Sequence, residues 1–219
     1  MAEQLTVPQA FALLQIEADG KRAVDGQRLD TGLAGAVLAD LALRGAVSLE
    51  GKEVRVVDGA ATGDPVLDGV MGTIAAAGSS RKAKWWVAKL GKRQLRDDVL
   101  SGLVTQGLLS TEQRYTLGIF ASTAYPERDG APEALVRSAI ADVLAERTPP
   151  TPFTAALIAL LDATGTIRKQ FGKVDKALVQ DIAAGSWASP AVKAVLQQIQ
   201  TAAMAGIIAA SAATSASTS

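Results

Sequence analysis

The chain has 219 residues, 48% of them apolar, and 22 basic residues balance 22 acidic ones, so it can bury a domain-sized core and exerts no global attraction on nucleic acid. It contains no cysteine and no histidine, which excludes disulfides, thiol nucleophiles, zinc–cysteine sites, and histidine-based triads or metal sites. Any chemistry rests on carboxylates, lysines, hydroxyls or backbone.

Residues Met1 to Leu5 lack the basic region and apolar stretch of a secretory signal, so a cytoplasmic protein is expected. The longest apolar runs, Ala155 to Leu161 and Ala202 to Ala210, fall well short of the roughly 18 to 20 residues that a bilayer crossing needs. A membrane, if met, is met from its surface. In chain order, Thr6-Val7-Pro8-Gln9 has the hydroxyl and the Gln of a capping box, and the apolar stripe that follows predicts a first helix. Lys21 to Asp30 is polar and reads as a loop. Thr31 to Arg44 is nearly all apolar, Asp40 being its main polar residue, and predicts a central, nearly enclosed helix. Val47 to Val56 alternates about Glu50-Gly51-Lys52 and predicts a short hairpin. Asp64 and Pro65 then start a helix with Leu67, Val70, Met71 and Ile74 inward.

From Arg81 to Arg96 the chain carries seven basic residues and no acid. A helix is predicted to run from this segment to a left-handed cap at Gly107. Leu108 to Phe120 predicts a second hairpin turning at Ser110 to Gln113. Three helices then cover Asp129 to Arg147, with Leu135, Ile140, Val143 and Leu144 inward, Pro152 to Ala163, and Lys173 to Ala184. A last one, Pro190 to Ala210, begins at a Ser189 cap. The Ser/Ala/Thr tail 211–219 is expected to be mobile. The fold class is therefore mainly α: a single globular domain over residues 1–210, helices around a central apolar helix, and two short β-hairpins.

Four segments in register carry a family resemblance. Gly32-Leu33-Ala34-Gly35-Ala36-Val37-Leu38-Ala39-Asp40-Leu41-Ala42-Leu43-Arg44-Gly45, Thr62-Gly63-Asp64-Pro65-Val66-Leu67-Asp68, Trp86, and Leu103-Val104-Thr105-Gln106-Gly107-Leu108-Leu109 resemble the motifs of the Golgi phosphoprotein 3 family. The compact, Ala- and Gly-rich chain looks like a bacterial branch member. Eukaryotic members are peripheral Golgi proteins that bind phosphatidylinositol 4-phosphate and glycosyltransferase tails. The resemblance implies an α-helical domain with a hairpin that self-associates, here Glu112 to Thr123 around Tyr115 and Phe120. It also implies a phosphate pocket, of which Arg93 and Arg96 match two arginines. Ala34 replaces the pocket's motif arginine, and its loop tryptophan falls near Asp25. Lys21, Arg22 and Arg28 are the loop cations available in their place.

Lys89, Lys92 or Arg93, and Arg96 recur at helical spacing and would present one cationic face. On such a face arginine offers a fork of donors and lysine a point charge. With Arg22 they form the candidate headgroup site. The other reading of the run is a solvated helix face. Of the adjacent tryptophans, Trp86 is expected in the core, and Trp187 is read as a packing residue. Asp64 and Asp68 share a helix face, but Asp64 is in capping position and no third ligand or phosphate loop accompanies them. Asp97 and Asp98 are adjacent and face apart. No catalytic residue, metal site or cofactor is expected. The partner expected is an anionic lipid headgroup or other phosphate ligand at the inner face of a membrane, with self-association or a protein partner besides, and no nucleic acid. The rival reading is a protein-interaction module that kept the fold and lost the lipid.

Overall fold

The computed structural model describes residues 5–50, 53–116 and 120–185, together with 197, 201, 204 and 205. The architecture is mainly helical with two small antiparallel sheets. Helix α1, Val7–Leu14, begins with the capping box expected of Thr6 and Gln9. Helix α2 spans Gly26–Leu43, five residues longer at its start than the sequence suggested, because Asp25 accepts the backbone N–H of Arg28 and caps it there. Strands β1, Val47–Glu50, and β2, Glu53–Val56, form the first hairpin in the register Val47↔Val56 to Glu50↔Glu53. Helix α3, Pro65–Ala75, is capped by Asp64, whose Oδ1 accepts from the N–H groups of Val66 and Leu67 at 2.9 Å.

The basic segment is not one helix. Arg81–Lys82 form a short strand, β3, which adds to β2. Helix α4, Ala83–Leu90, stops at Gly91, and helix α5 covers Arg93–Thr105. The break has a steric cause: a β-carbon at Gly91 would lie 2.8 Å from the Val87 carbonyl oxygen and 3.4 Å from Asp30 O and Thr31 Cα of α2. Only glycine lets the chain pass so near another backbone. Gly107, at φ 76°, ends α5 as expected: its N–H donates to Val104 O, and that of Leu108 donates to Leu103 O.

The second hairpin is displaced from its expected position. Strands β4, Glu112–Thr116, and β5, Phe120–Ala124, pair from Glu112↔Ala124 to Thr116↔Phe120. Glu112 and Gln113, read as part of the turn, therefore lie in a strand. Helix α6, Ala131–Leu144, buries Ile140 and Val143, but Leu135 is 72% exposed and not inward. Helix α7, Pro152–Ala163, has the predicted bounds and is buried over most of its length. A five-residue helix, α8, Ile167–Phe171, precedes α9, Lys176–Ala184. Trp187, the expected helix Pro190 to Ala210 as a unit, and the tail lie outside the described residues.

Helix α2 packs against α1, α3, α4, α5, α7 and β1. From Thr31 to Leu41 every residue is buried, which only small side chains permit where helices press close. At Gly32 a β-carbon would meet the Phe11 ring of α1 at 2.5 Å. Asp40, read as the polar surface of this helix, is 3% exposed. Its Oδ2 accepts the N–H of Val7 at 2.6 Å, and its Oδ1 accepts from Arg44 Nε, so a buried carboxylate ties the first turn of α1 to α2. Among the described residues no helix is long and apolar enough to cross a membrane.

The tie makes a prediction. Asp40→Ala leaves the Val7 N–H unpaired and Arg44 without its partner, and is expected to destabilise the fold by about 2 to 4 kcal/mol. Asp40→Asn, which keeps an acceptor, is expected to cost less. Urea denaturation of the two variants checks the order.

Candidate anion site at the start of the central helix

The five sequence-predicted cations divide into two groups. Arg22 and Arg96 meet. A β-carbon at Gly26, the first residue of α2, would lie 2.8 Å from Arg22 Nη1 and 3.1 Å from Arg96 Nη1, so the two guanidiniums converge over one point of backbone. Arg96, only 12% exposed, donates from Nη1 to Asp30 Oδ1 at 2.9 Å and, at 3.5 Å, to Gly26 O. Lys92 and Arg93 stand at the start of α5. Lys92 holds the N-cap position but makes no side-chain cap, so the first-turn N–H groups are left without a side-chain acceptor at the positive end of the helix dipole. Arg93 is 80% exposed and ion-paired with Asp97 at 3.2 Å.

Lys89 belongs elsewhere. The expectation that Lys89, Lys92 or Arg93, and Arg96 share one helical face fails, because the Gly91 break puts Lys89 on α4 and the others on α5. Of the other loop cations, Lys21 pairs with Asp19 at 2.6 Å, and Arg28 lies within α2, paired with Asp25 at 3.2 Å. Ala34, in the place of the family's motif arginine, is fully buried within α2. Asp25 is not a ligand position but the cap of α2.

Asp30 and Tyr125, which the sequence did not single out, and Asp97, noted there only as facing away from Asp98, complete the cluster. Asp30 and Asp97 are its counter-charges. Burial pushes the Asp30 carboxyl above the usual carboxylate range, outweighing the opposing pull of Arg96, Arg22 and Lys92. Arg96 also reaches Asp97, at 3.8 Å. Four cations therefore face two carboxylates. Tyr125 follows β5, and its phenol is pushed up by burial and by Asp97 while Arg96 and Arg93 act in the other direction, which sets it beside the α5 N-terminus. The tyrosine arrives there because Gly20, at φ 83°, lets the loop run against it: a β-carbon at Gly20 would lie 2.7 Å from the Tyr125 backbone. No spacing rule links Tyr125 to Arg96, since a whole hairpin separates them. Asp30 carried a signal in hindsight, as a lone acid one turn inside a capped helix start.

A separate cleft of about 530 Å3 lies between the α1 end, α6 and α8. Its cations are already engaged, Arg137 with Glu133 at 2.6 Å and Lys169 with Glu17 at 3.7 Å, and neither Arg22 nor Arg96 lines it. Asp64 is used as a cap, and Asp68 accepts from the Thr62 N–H and hydroxyl at 2.9 and 2.8 Å. This holds its carboxyl below the usual range. Both carboxylates thus serve the turn ahead of α3.

The fold and this cluster define a helical protein with an enclosed central helix whose first turn lies under Arg22 and Arg96. The family model described as Golgi phosphoprotein 3 (GPP34) matches residues 7–199, and the chain belongs to that family. A search of curated proteins finds no match.

The electrostatics set a pH dependence. Asp30 takes up its proton at a higher pH than an ordinary aspartate, and protonation removes a negative charge beside Arg96. Affinity for an anion of fixed charge, such as an alkyl sulfate, is expected to rise as pH falls from 7 toward 4. Asp30→Asn should bind more tightly at pH 7 and lose most of this dependence; isothermal titration calorimetry at a series of pH values reads both.

Proposed function

We propose that this protein is a non-enzymatic binder of an anionic headgroup, recruited to the surface of a membrane through the cluster at the start of α2. The observation that carries the reading is the convergence of Arg22 and Arg96 over Gly26, beside the uncapped start of α5 with Lys92 and Arg93. Two like charges are held together most cheaply around a shared anion, and Asp30 and Asp97 together leave a surplus of positive charge among four cations. A phosphate fits the arrangement: Arg22 and Arg96 supply planar forks of donors, Lys92 a point charge, and α5 its first-turn N–H groups. Family membership supports a lipid of the phosphoinositide type. Self-association through β4 and β5, near Tyr115 and Phe120, belongs to the same reading, since short paired strands offer an outer edge to a second copy.

One observation favours the rival, a protein-interaction module that no longer takes the lipid. Ala34 is sealed in the core, so no arginine can enter the site from the position where the family places one.

Vesicle co-sedimentation separates the two. Wild-type protein is expected to bind phosphatidylglycerol or phosphatidylinositol 4-phosphate vesicles over neutral phosphatidylcholine, more weakly at physiological than at low salt. Each basic side chain near an anionic surface contributes about 1 kcal/mol, so Arg22→Glu/Lys92→Glu should weaken binding by at least about thirty-fold. These positions are preferred to Arg96, whose ion pair with Asp30 is part of the fold. Binding confined to phosphoinositide vesicles assigns the lipid; no binding to any vesicle leaves the interaction module.

A further inference from the structure

We infer that the outer face of α4 is a second membrane contact, on which Trp85 enters the interfacial layer of an anionic bilayer while the surrounding cations meet its headgroups. The inference rests on the proposed function only for the kind of partner, an anionic bilayer, and uses none of the residues of the anion site.

Helix α4 has two unlike faces. Ala83, Trp86 and Val87 are buried, Trp86 to 1%, whereas Lys84, Trp85, Ala88 and Lys89 point outward. Trp85 is 43% exposed. Its ring is nevertheless held in place: the Arg81 guanidinium stands 5.6 Å over it, and the Trp86 ring meets it at right angles with centroids 4.8 Å apart. The aromatic is thus presented by the fold in one orientation, which spares the entropy of ordering it on contact. Every charged residue of β3 and α4 is basic. Among the described residues Arg81, Lys84 and Lys89 make no ion pair, although the chain as a whole is neutral and many of its other cations are paired. The nearest acid by strand register is Glu53, opposite Lys82.

An exposed tryptophan amid unpaired cations fits a surface that is apolar below and anionic above. Indole settles at that boundary, with its apolar body below and its N–H in the headgroup layer, and lysine stems can lie along the apolar layer while their ammonium groups stay in water. A nucleic acid fits less well. Base stacking needs an open ring face, and Arg81 already occupies one face of Trp85, with no further exposed aromatic on α4 to continue a stack.

Tryptophan fluorescence with brominated lipids tests this directly. Vesicles of brominated phosphatidylcholine and phosphatidylglycerol are expected to quench the emission of the wild-type protein. In a Trp187→Phe background, Trp85→Phe should abolish that quenching, because Trp86 is buried. Trp85→Ala is expected to lower partitioning into the same vesicles by about ten-fold, and Lys84→Glu/Lys89→Glu by at least about thirty-fold. Circular dichroism of Trp85→Phe establishes that the fold is intact. Soluble inositol 1,4-bisphosphate, titrated by calorimetry, separates this inference from the anion site: its binding is expected to be the same in wild type and Trp85→Phe. Absence of quenching in wild-type protein, or equal quenching with and without Trp85→Phe in the Trp187→Phe background, overturns the inference whether or not the soluble headgroup binds. Quenching that Trp85→Phe removes in that background supports it even if the soluble headgroup does not bind. Tighter binding of a labelled DNA duplex than of the anionic vesicles, lost in Lys84→Glu/Lys89→Glu, also overturns it.

Discussion

Enclosure of α2 is the constraint on which the rest of the molecule depends. A helix surrounded by α1, α3, α4, α5, α7 and β1 has no solvent face, so its polar groups need partners inside the protein and its neighbours can approach only where side chains are small. Both demands are visible. Gly32 yields its space to the Phe11 ring, and the one carboxylate in the enclosed stretch, Asp40, meets the Val7 N–H and Arg44. The first turn of α1 is thereby held to α2 by a buried charge, and the capping box of Thr6 and Gln9 begins that turn at the same place.

The same enclosure generates the arginine cluster. Because α2 is buried from Thr31 to Leu41, it reaches the surface only at its two ends, and its start lies around Gly26 and Asp30. The chain changes direction beside it at Gly91, where close passage over Asp30 and Thr31 leaves no room for a side chain. That break aims the first turn of α5 at the start of α2 and carries Arg96 to Asp30. A continuous helix would have aligned Lys89 with Arg93 and Arg96. The broken one sorts the basic run into a cationic cluster on α5 and a cationic, aromatic face on α4, two surfaces with different physical character from sixteen consecutive residues.

Where local signals are strong, sequence and structure agree. Thr6 with Gln9, Asp64 before Pro65, Gly107 after Val104, and the unbroken apolar run of α7 each act within a few residues, and the starts of α1 and α3, the end of α5 and the span of α7 appear as expected. Trp86 is buried as its position beside an exposed partner required. Errors arose where a residue's state depends on distant chain. Asp40 looks like a surface acid until α1 is laid across it; Leu135 has helical apolar spacing, but nothing covers it. Ahead of Thr31 a polar, glycine-containing stretch resembles a loop, yet the Asp25 cap outweighs that composition and starts α2 at Gly26.

The sequence by itself determined the class of fold, the order of the principal helices, the central place of α2, the absence of thiol and imidazole chemistry, and the location of concentrated positive charge, since each follows from composition or from periodicity over one or two turns. Membership of the Golgi phosphoprotein 3 family was legible too, in short motifs that keep their order. Only the tertiary structure decided which cations act together. Arg22 and Arg96 are far apart in the chain, and their meeting over Gly26 depends on the loop that Gly20 lays against Tyr125 and on the turn that Gly91 permits. A site built from several chain segments is fixed by close approaches between backbones, and such approaches leave in sequence no more than a glycine.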